Sequence, residues 1–303
     1  MSWSGVGSVA GSVDDSISYR SADPRLWPAG GCHPVGVLRL ELPGHDIVGI
    51  RADNPGLLTL SGTNSWVAGR DPAWLVDPGP SLPEHLDELA TEIAARGGLG
   101  GIALTHDHQD HAEAVGDVLD RLGPAPVGGA RATAAAGGAR ASAVVTLTEG
   151  ERFGPLEAIS TPGHAPDHLA YAFGEIVLSG DAVLGEGSVL LTPDPGALTD
   201  YLDALERLRA RHPVAIGPGH GPVILDPDDR LAAYIAHRLD REQRLLAALA
   251  AGRRTVAELL DDAWADVPRE FRPAAALTLA AHLDKLREEG RLPDGVERPR
   301  VGL

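Results

Sequence analysis

One cysteine, Cys32, occurs in 303 residues. That excludes an intrachain disulfide and any Cys-rich zinc module. There is one lysine, Lys285, so the basic side is almost all Arg. The net charge is −17. An acidic chain makes a poor generic polyanion binder, because phosphate contacts need Lys and Arg. Bound divalent ions would offset part of that charge locally. Aromatic residues are 4 % and apolar residues 43 %, so a sizeable core must be mostly Ala, Val, Leu and Ile. No stretch approaches a membrane span. Met1 to Asp23 lacks a charged region followed by an apolar run. No membrane partner and a soluble cytoplasmic protein are the expectations.

At this length one large domain plus a small one is expected. Residues 1–31, rich in Ser, Gly and Pro, read as a loose arm. Residues 32–225 alternate strand and helix patterns. Val35 to Leu42, Ile47 to Ala52, Leu57 to Leu60, Ser65 to Val67 and Trp74 to Val76 read as strands. Pro83 to Arg96 reads as an amphipathic helix. Leu99 to Leu104 is a buried strand, and Ala112 to Leu122 is helix-like. Ala130 to Ala141 reads as helical. Val144 to Leu147 and Leu156 to Ser160 read as strands, and Leu169 to Phe173 with Ile176 to Ser179 as a hairpin. A helix over Thr199 to Arg211 and a strand at Val214 to Ile216 complete the region. The order suits two sheets packed together with helices outside. Residues 226–303 are helical: Pro227 to about Ala251, Val256 to about Ala265 behind a Thr255–Glu258 capping box, and Arg272 to Glu289. Arg291 to Pro293 reads as a short terminal strand. The pattern resembles a small winged-helix module. It carries 13 basic and 15 acidic residues, so nearly all the negative charge lies before it.

The chemistry is concentrated in His106-Asp107-His108-Gln109-Asp110-His111, at the end of the buried strand. Side chains two apart on an extended chain point the same way, so His106 and His108 face one point. Asp110 and His111, on the turn into a helix, face a neighbouring one. Imidazole and carboxylate suit Zn²⁺ or a similar divalent ion, and two adjacent clusters suggest two metals. Further candidates, His164, Asp181 and His220, sit where apolar runs meet Gly-rich turns. Asp77 ends an earlier strand and reads as a partner for a ligand His or as a turn residue before Pro78. His168 is a candidate to contact substrate or donate a proton, or else a solvent-facing strand residue. Asn64 and Ser65 are candidates to line the cleft.

This set resembles the ligands of the metallo-β-lactamase-fold hydrolases over residues 34 to 225. The resemblance implies a four-layer αβ/βα sandwich with the site at one edge of the sheets. It implies His106, His108 and His164 on a first metal, Asp110, His111 and His220 on a second, and Asp181 bridging. Two zinc ions are the expectation, with iron or manganese open. A bridging water of lowered pKa would supply hydroxide, which Asp110 would also orient. The motifs Asn54-Pro55-Gly56, Gly62-Thr63-Asn64, Thr161-Pro162-Gly163-His164, Ser179-Gly180-Asp181 and Gly217-Pro218-Gly219-His220, with the helical tail, are similar to the beta-lactamase-like protein 2 group. Two functions follow. The first is hydrolysis of a small thioester, ester or lactone. The second is single-stranded RNA cleavage, with Arg269, Arg272, Lys285, Arg287 and Arg291 as a basic face of the tail or, alternatively, as a solvated surface paired with Glu270, Asp284, Glu288 and Glu289. A vestigial metal site with the tail binding a partner or DNA, and an iron-dependent redox role, complete the alternatives. Homodimerisation through the tail is compatible with the sequence.

Overall fold

In the computed structural model, residues 37–42, 44–130 and 138–300 are described. The N-terminal arm and most of the helix expected at 130–141 lie outside them. Seven strands form the first sheet: β1 Leu38–Glu41, β2 Ile47–Arg51, β3 Asn64–Ala68, β4 Ala73–Val76, β5 Leu99–Ala103, β6 Pro126–Gly129 and β7 Ala143–Thr146, in spatial order 1 to 7. The pairs from β1 to β4 are antiparallel and those from β4 to β7 parallel. Parallel neighbours need crossovers. Helix α1, Pro83–Ala95, makes one; α2, Gln109–Ala112, and α3, Val115–Leu122, make the next. The second sheet holds β8 Arg152–Phe153, β9 Leu156–Ser160, β10 Leu169–Phe173, β11 Ile176–Gly180 and β12 Ala215–Pro218, in the order β12-β11-β10-β9-β8.

Three apolar layers hold the catalytic part together. Trp66, Val76, Tyr171, Ile176 and Leu178 fill the space between the sheets. Val48, Val67 and Leu75 pack outward on Leu86, Leu89 and Ile93 of α1 and Val115 and Val118 of α3. On the other side, Ile159, Val177 and Ile216 pack on α4, Ala197–Ala210, and the first turns of α5, Pro227–Ala250. The result is the expected four-layer sandwich. Each fully buried Leu, Ile or Val contributes roughly 1.5–3 kcal/mol. Trp66 anchors both sheets, since its indole N–H donates to Pro218 O at 3.1 Å.

The tail adds α6, Val256–Ala263, and α7, Arg272–Glu288. Thr255 and Glu258 form the expected capping box. Helix α5 belongs to both parts. Leu231 and Tyr234 lie in the catalytic core, while Leu245 and Leu249 join Leu259, Trp264, Leu279 and Leu283 in a separate one. The cut drawn at 226 therefore falls at the start of a shared helix. Arg241 of α5 ties the tail down through Asp266, with N–O distances of 2.6 and 2.7 Å. Among the described residues, no helix is long and apolar enough to cross a membrane.

Two expected strands are absent. Arg291 to Pro293 instead ends α7, with the Arg291 and Leu292 N–H groups both donating to Leu286 O. Leu57 to Leu60 forms a tight loop closed by a Gly56–Leu60 bridge. Thr59 Oγ1 donates to Asn54 O at 2.7 Å, and Leu60 takes a positive φ of 55°. Leu57 and Leu58 are left exposed, unlike residues of a paired strand.

Candidate metal centre

Every candidate donor sits just past the end of a strand, on the same edge of the two sheets. His106, His108, Asp110 and His111 follow β5; His164 follows β9, Asp181 β11 and His220 β12. The fold brings donor atoms together in three overlapping sets, each within 4.8 Å: His106, His108 and His164; His106, His111 and Asp181; and Asp110, His111 and His220. Nδ1 of His108 lies 2.9 Å from Nε2 of His106 and 3.0 Å from Nε2 of His164. Nε2 of His111 and of His220 are 3.4 Å apart. The Asp181 carboxylate lies between the groups: Oδ1 is 3.5 Å from His111, and Oδ2 is 3.5 Å from His164 and 3.4 Å from His220.

The outer partners of these rings decide what the inner atoms offer. Carbonyl and carboxylate oxygens only accept, so each must face a ring N–H. His164 Nδ1 meets Leu190 O at 2.9 Å, His220 Nδ1 meets Gly62 O at 3.2 Å, and His111 Nδ1 meets Asp77 Oδ2 at 2.9 Å. Thr105 donates its hydroxyl to Asp77 Oδ2 at 2.7 Å and so accepts from His106 Nδ1 at 2.9 Å. Four imidazoles are thereby held with Nε2 bare and pointing inward. Bare lone pairs and carboxylates at these separations repel unless a cation lies among them. Asp181 Oδ1 is buried with no hydrogen-bond partner, which is a further mark of a ligand position. The donor set fits divalent metal.

The electrostatics agree. Burial pushes His106 down, helped by His111 and His168. Burial also lowers His164, against the pull of Asp181. Burial lowers His111 too, but Asp181, Asp77 and Asp110 outweigh it and push that imidazole up to about 10. The metal-free chain thus keeps a proton where a bound cation would sit. Burial raises Asp181, yet His220, His111 and His164 hold its carboxyl well below the usual range.

Close packing around the donors leaves little latitude. A Cβ on Gly219 would come within 2.4 Å of Asp181 Oδ1 and 2.8 Å of His111 Cε1. Gly180 takes a φ of 47°, and a Cβ there would lie 2.6 Å from Thr105 Oγ1.

Other candidates have different places. Asp77 is buried and accepts from Thr105 N and Oγ1 and from His111, the expected support for a ligand ring. His168 does not face the cleft: it is 1 % exposed, its Nε2 accepts from the Asp181 N–H at 3.1 Å and its Nδ1 meets Thr161 Oγ1 at 2.8 Å. Both nitrogens are engaged, so the ring braces the Asp181 turn and is not placed to meet substrate. Asn64 and Ser65 are fully buried. Asn64 donates to Pro218 O and Gly221 O, holding the His220 loop, and Ser65 Oγ lies 3.0 Å from His85 Nε2. Thr63 went unnoticed in the sequence; its hydroxyl donates to Asp110 Oδ2 at 3.0 Å. Its place in Gly62-Thr63-Asn64 was the available signal.

The donors open into a cavity of about 550 Å³. His108, Asp110, His164, Asp181 and His220 form one end, and Leu57, Leu58, Leu60, Leu184 and Val189 line the walls. The tail contributes His237, Arg238, Arg241, Trp264, Val267 and Phe271.

Comparison with known proteins gives matches over both parts. Residues 58–220 match the metallo-β-lactamase superfamily, and residues 255–294 match the beta-lactamase-associated winged helix domain. The chain is 30 % identical over 267 residues to the beta-lactamase-like protein 2 homolog of Drosophila melanogaster, spanning 81 % of this chain and 89 % of that one. It is 31 % identical over 248 residues to an atrochrysone carboxyl ACP thioesterase of Aspergillus chevalieri, spanning 76 % of each. A beta-lactamase domain protein from Burkholderia ambifaria shares the fold, with a TM-score of 0.71, 19 % identity and coverage of 85 % of this chain and 91 % of that one.

Proposed function

The chain belongs to the metallo-β-lactamase superfamily and is a metal-dependent hydrolase, and from that premise we propose that it uses two zinc ions to hydrolyse a small thioester, ester or lactone. In this reading His106, His108 and His164 hold one ion, Asp110, His111 and His220 the other, and Asp181 lies between them. Bound there, the pair acidifies water and polarises an acyl oxygen. Asp110 orients the attacking water, with Oδ2 steadied by Thr63. Asp77, Leu190 and Gly62 keep the ring nitrogens aimed inward. A cytoplasmic location accords with the single cysteine.

The observation that carries the substrate class is the cavity. Its metal end and its apolar walls form one continuous space, suited to an acyl group with its carbonyl at the donors. A thioesterase among the relatives supports the same class. Four of the five basic residues named for an RNA face are ion-paired, which supports the small-substrate reading. Lys285 pairs with Glu242 and Glu289, Arg287 with Asp284, Arg291 with Glu242 and Glu289, and Arg272 with Asp261.

The test is metal content together with turnover of a thioester panel and of labelled single-stranded RNA, for the wild type and for His108→Ala and Asp181→Ala. Two zinc per chain and thioester turnover lost in both variants is the expected result. RNA cleavage lost in both, with no thioester turnover, would transfer the site to nuclease chemistry.

A further inference from the structure

The cavity has a second polar point, far along the chain from the metal donors. His237 of α5 lines it, alongside Trp264 and Phe271 of the tail. Its Nε2 accepts from Arg241 Nε at 3.3 Å. Arg241 cannot turn away, because its other nitrogens are held by Asp266 and by Ala263 O. An acceptor Nε2 on a neutral ring leaves the proton on Nδ1. The neutral form is the one present: burial, with Arg238 and Arg241 beside it, pushes His237 down to about 3. Nδ1–H has no protein partner among the described residues, and it is not among the buried atoms sealed without one. A donor of fixed tautomer, backed by Arg241, therefore sits on a residue that lines a mostly apolar space. The surrounding lining is also informative. Trp264 and Phe271 line the same space, the Trp264 ring being packed against Arg241 and His282.

We propose that His237 is a substrate-recognition residue: its Nδ1–H binds an acceptor oxygen at the far end of an acyl group whose thioester carbonyl lies at the metal donors. This rests on the hydrolase reading and names its substrate class. The C-terminal module then has a defined task, because Trp264, Val267 and Phe271 line the cavity and Asp266 steadies the Arg241 that orients His237. A site built around a hydrogen-bond donor discriminates strongly against an analogue lacking the acceptor, since the donor would be left unpaired.

The matched probes are the 6-acetyl- and 6-isopropenyl-2-naphthoyl thioesters of N-acetylcysteamine, nearly equal in shape and differing in C=O against C=CH₂. The expected result is a preference of about tenfold or more for the acetyl compound in kcat/KM, expressed mainly in KM. His237→Phe should abolish the preference, bringing the two kcat/KM values together. His237→Gln, which keeps a donor, should restore part of it. Calorimetric binding of 2-acetylnaphthalene against 2-isopropenylnaphthalene to the same metal-loaded proteins reads recognition without any reaction. Equal binding of the two by the wild type, or a preference that survives His237→Phe, would overturn the assignment. Discrimination in binding with no thioester turned over would keep the recognition site and sink the hydrolase reading instead.

Discussion

Asp77 Oδ2 accepts from His111 Nδ1 at 2.9 Å and from Thr105 Oγ1 at 2.7 Å, so one oxygen governs two of the inward-facing imidazoles. His111 is tied to it directly, and His106 through the Thr105 hydroxyl. Asp77 sits at a φ of 52°, a conformation that Asn tolerates better than most residues. Asp77→Asn therefore keeps the turn but places an amide NH₂ against the ring N–H of His111. The imidazole must change tautomer or move. Metal affinity should fall about 10- to 100-fold, with circular dichroism unchanged. Competition with a chromogenic chelator measures it; an unchanged affinity would remove Asp77 from the support of the site.

Gly219→Ala tests the packing of the donors without touching one. The new Cβ meets Asp181 Oδ1 and His111 Cε1 below van der Waals distance, and backbone bonds from Gly219 to Gly180 and Asn64 resist its withdrawal. Ligand atoms must shift by a sizeable fraction of an ångström. A displacement of that order costs about 10²-fold in rate, so kcat/KM should drop by about that factor, with metal content reduced on elemental analysis. Full activity in this variant would mean that the loop yields freely.

The candidate donors that the fold brings together were legible because each sits where an apolar run meets a turn, and period-two alternation sets which side chains share a face. The order of strands and helices indicated two packed sheets with helices outside, and the family resemblance implied the four-layer sandwich. What escaped was set by contacts distant in the chain. Leu57 to Leu60 has the composition of a strand, but Asn54 and Thr59 fold it into a loop before any neighbour can pair with it. His168 carries the residue type of a proton donor, yet the Asp181 backbone N–H claims its Nε2. Nor does any motif announce His237, whose tautomer depends on Arg241 and, behind it, Asp266. Of the tail's candidate basic face, Arg272, Lys285, Arg287 and Arg291 are ion-paired in space.

Removing metal should loosen the fold as well as silence the chemistry. Inward lone pairs and the Asp110 and Asp181 carboxylates then face one another with only the His111 proton among them. Ion at about 100 times its Kd adds about 2.7 kcal/mol of stability. For a protein of this size that corresponds to a melting temperature lowered by about 4 °C for each ion removed by chelation, restored by adding zinc back. Scanning calorimetry before and after treatment gives the answer; coincident transitions would argue that no ion was held.

His85 offers a pH test away from the donors. It is fully buried, and its Nε2 lies 3.0 Å from Ser65 Oγ and 3.1 Å from Pro78 O. Burial lowers its pKa to about 4, the Pro78 carbonyl opposing, against about 6.5 in an unfolded chain. Below pH 6.5 the unfolded chain takes up a proton that the folded one refuses. The stability from His85 is thus fully present above about pH 6.5 and is lost as pH falls towards 4. Between pH 7 and pH 5 the loss is about 2 kcal/mol. His85→Gln keeps a hydrogen-bonding side chain without the titration. Urea unfolding of the metal-free wild type and variant at both pH values should show the wild type losing about 2 kcal/mol more, since every other titrating group contributes equally to both. Parallel losses would mean that the folded chain admits the proton, and that the pocket between Ser65 and Pro78 opens readily to water.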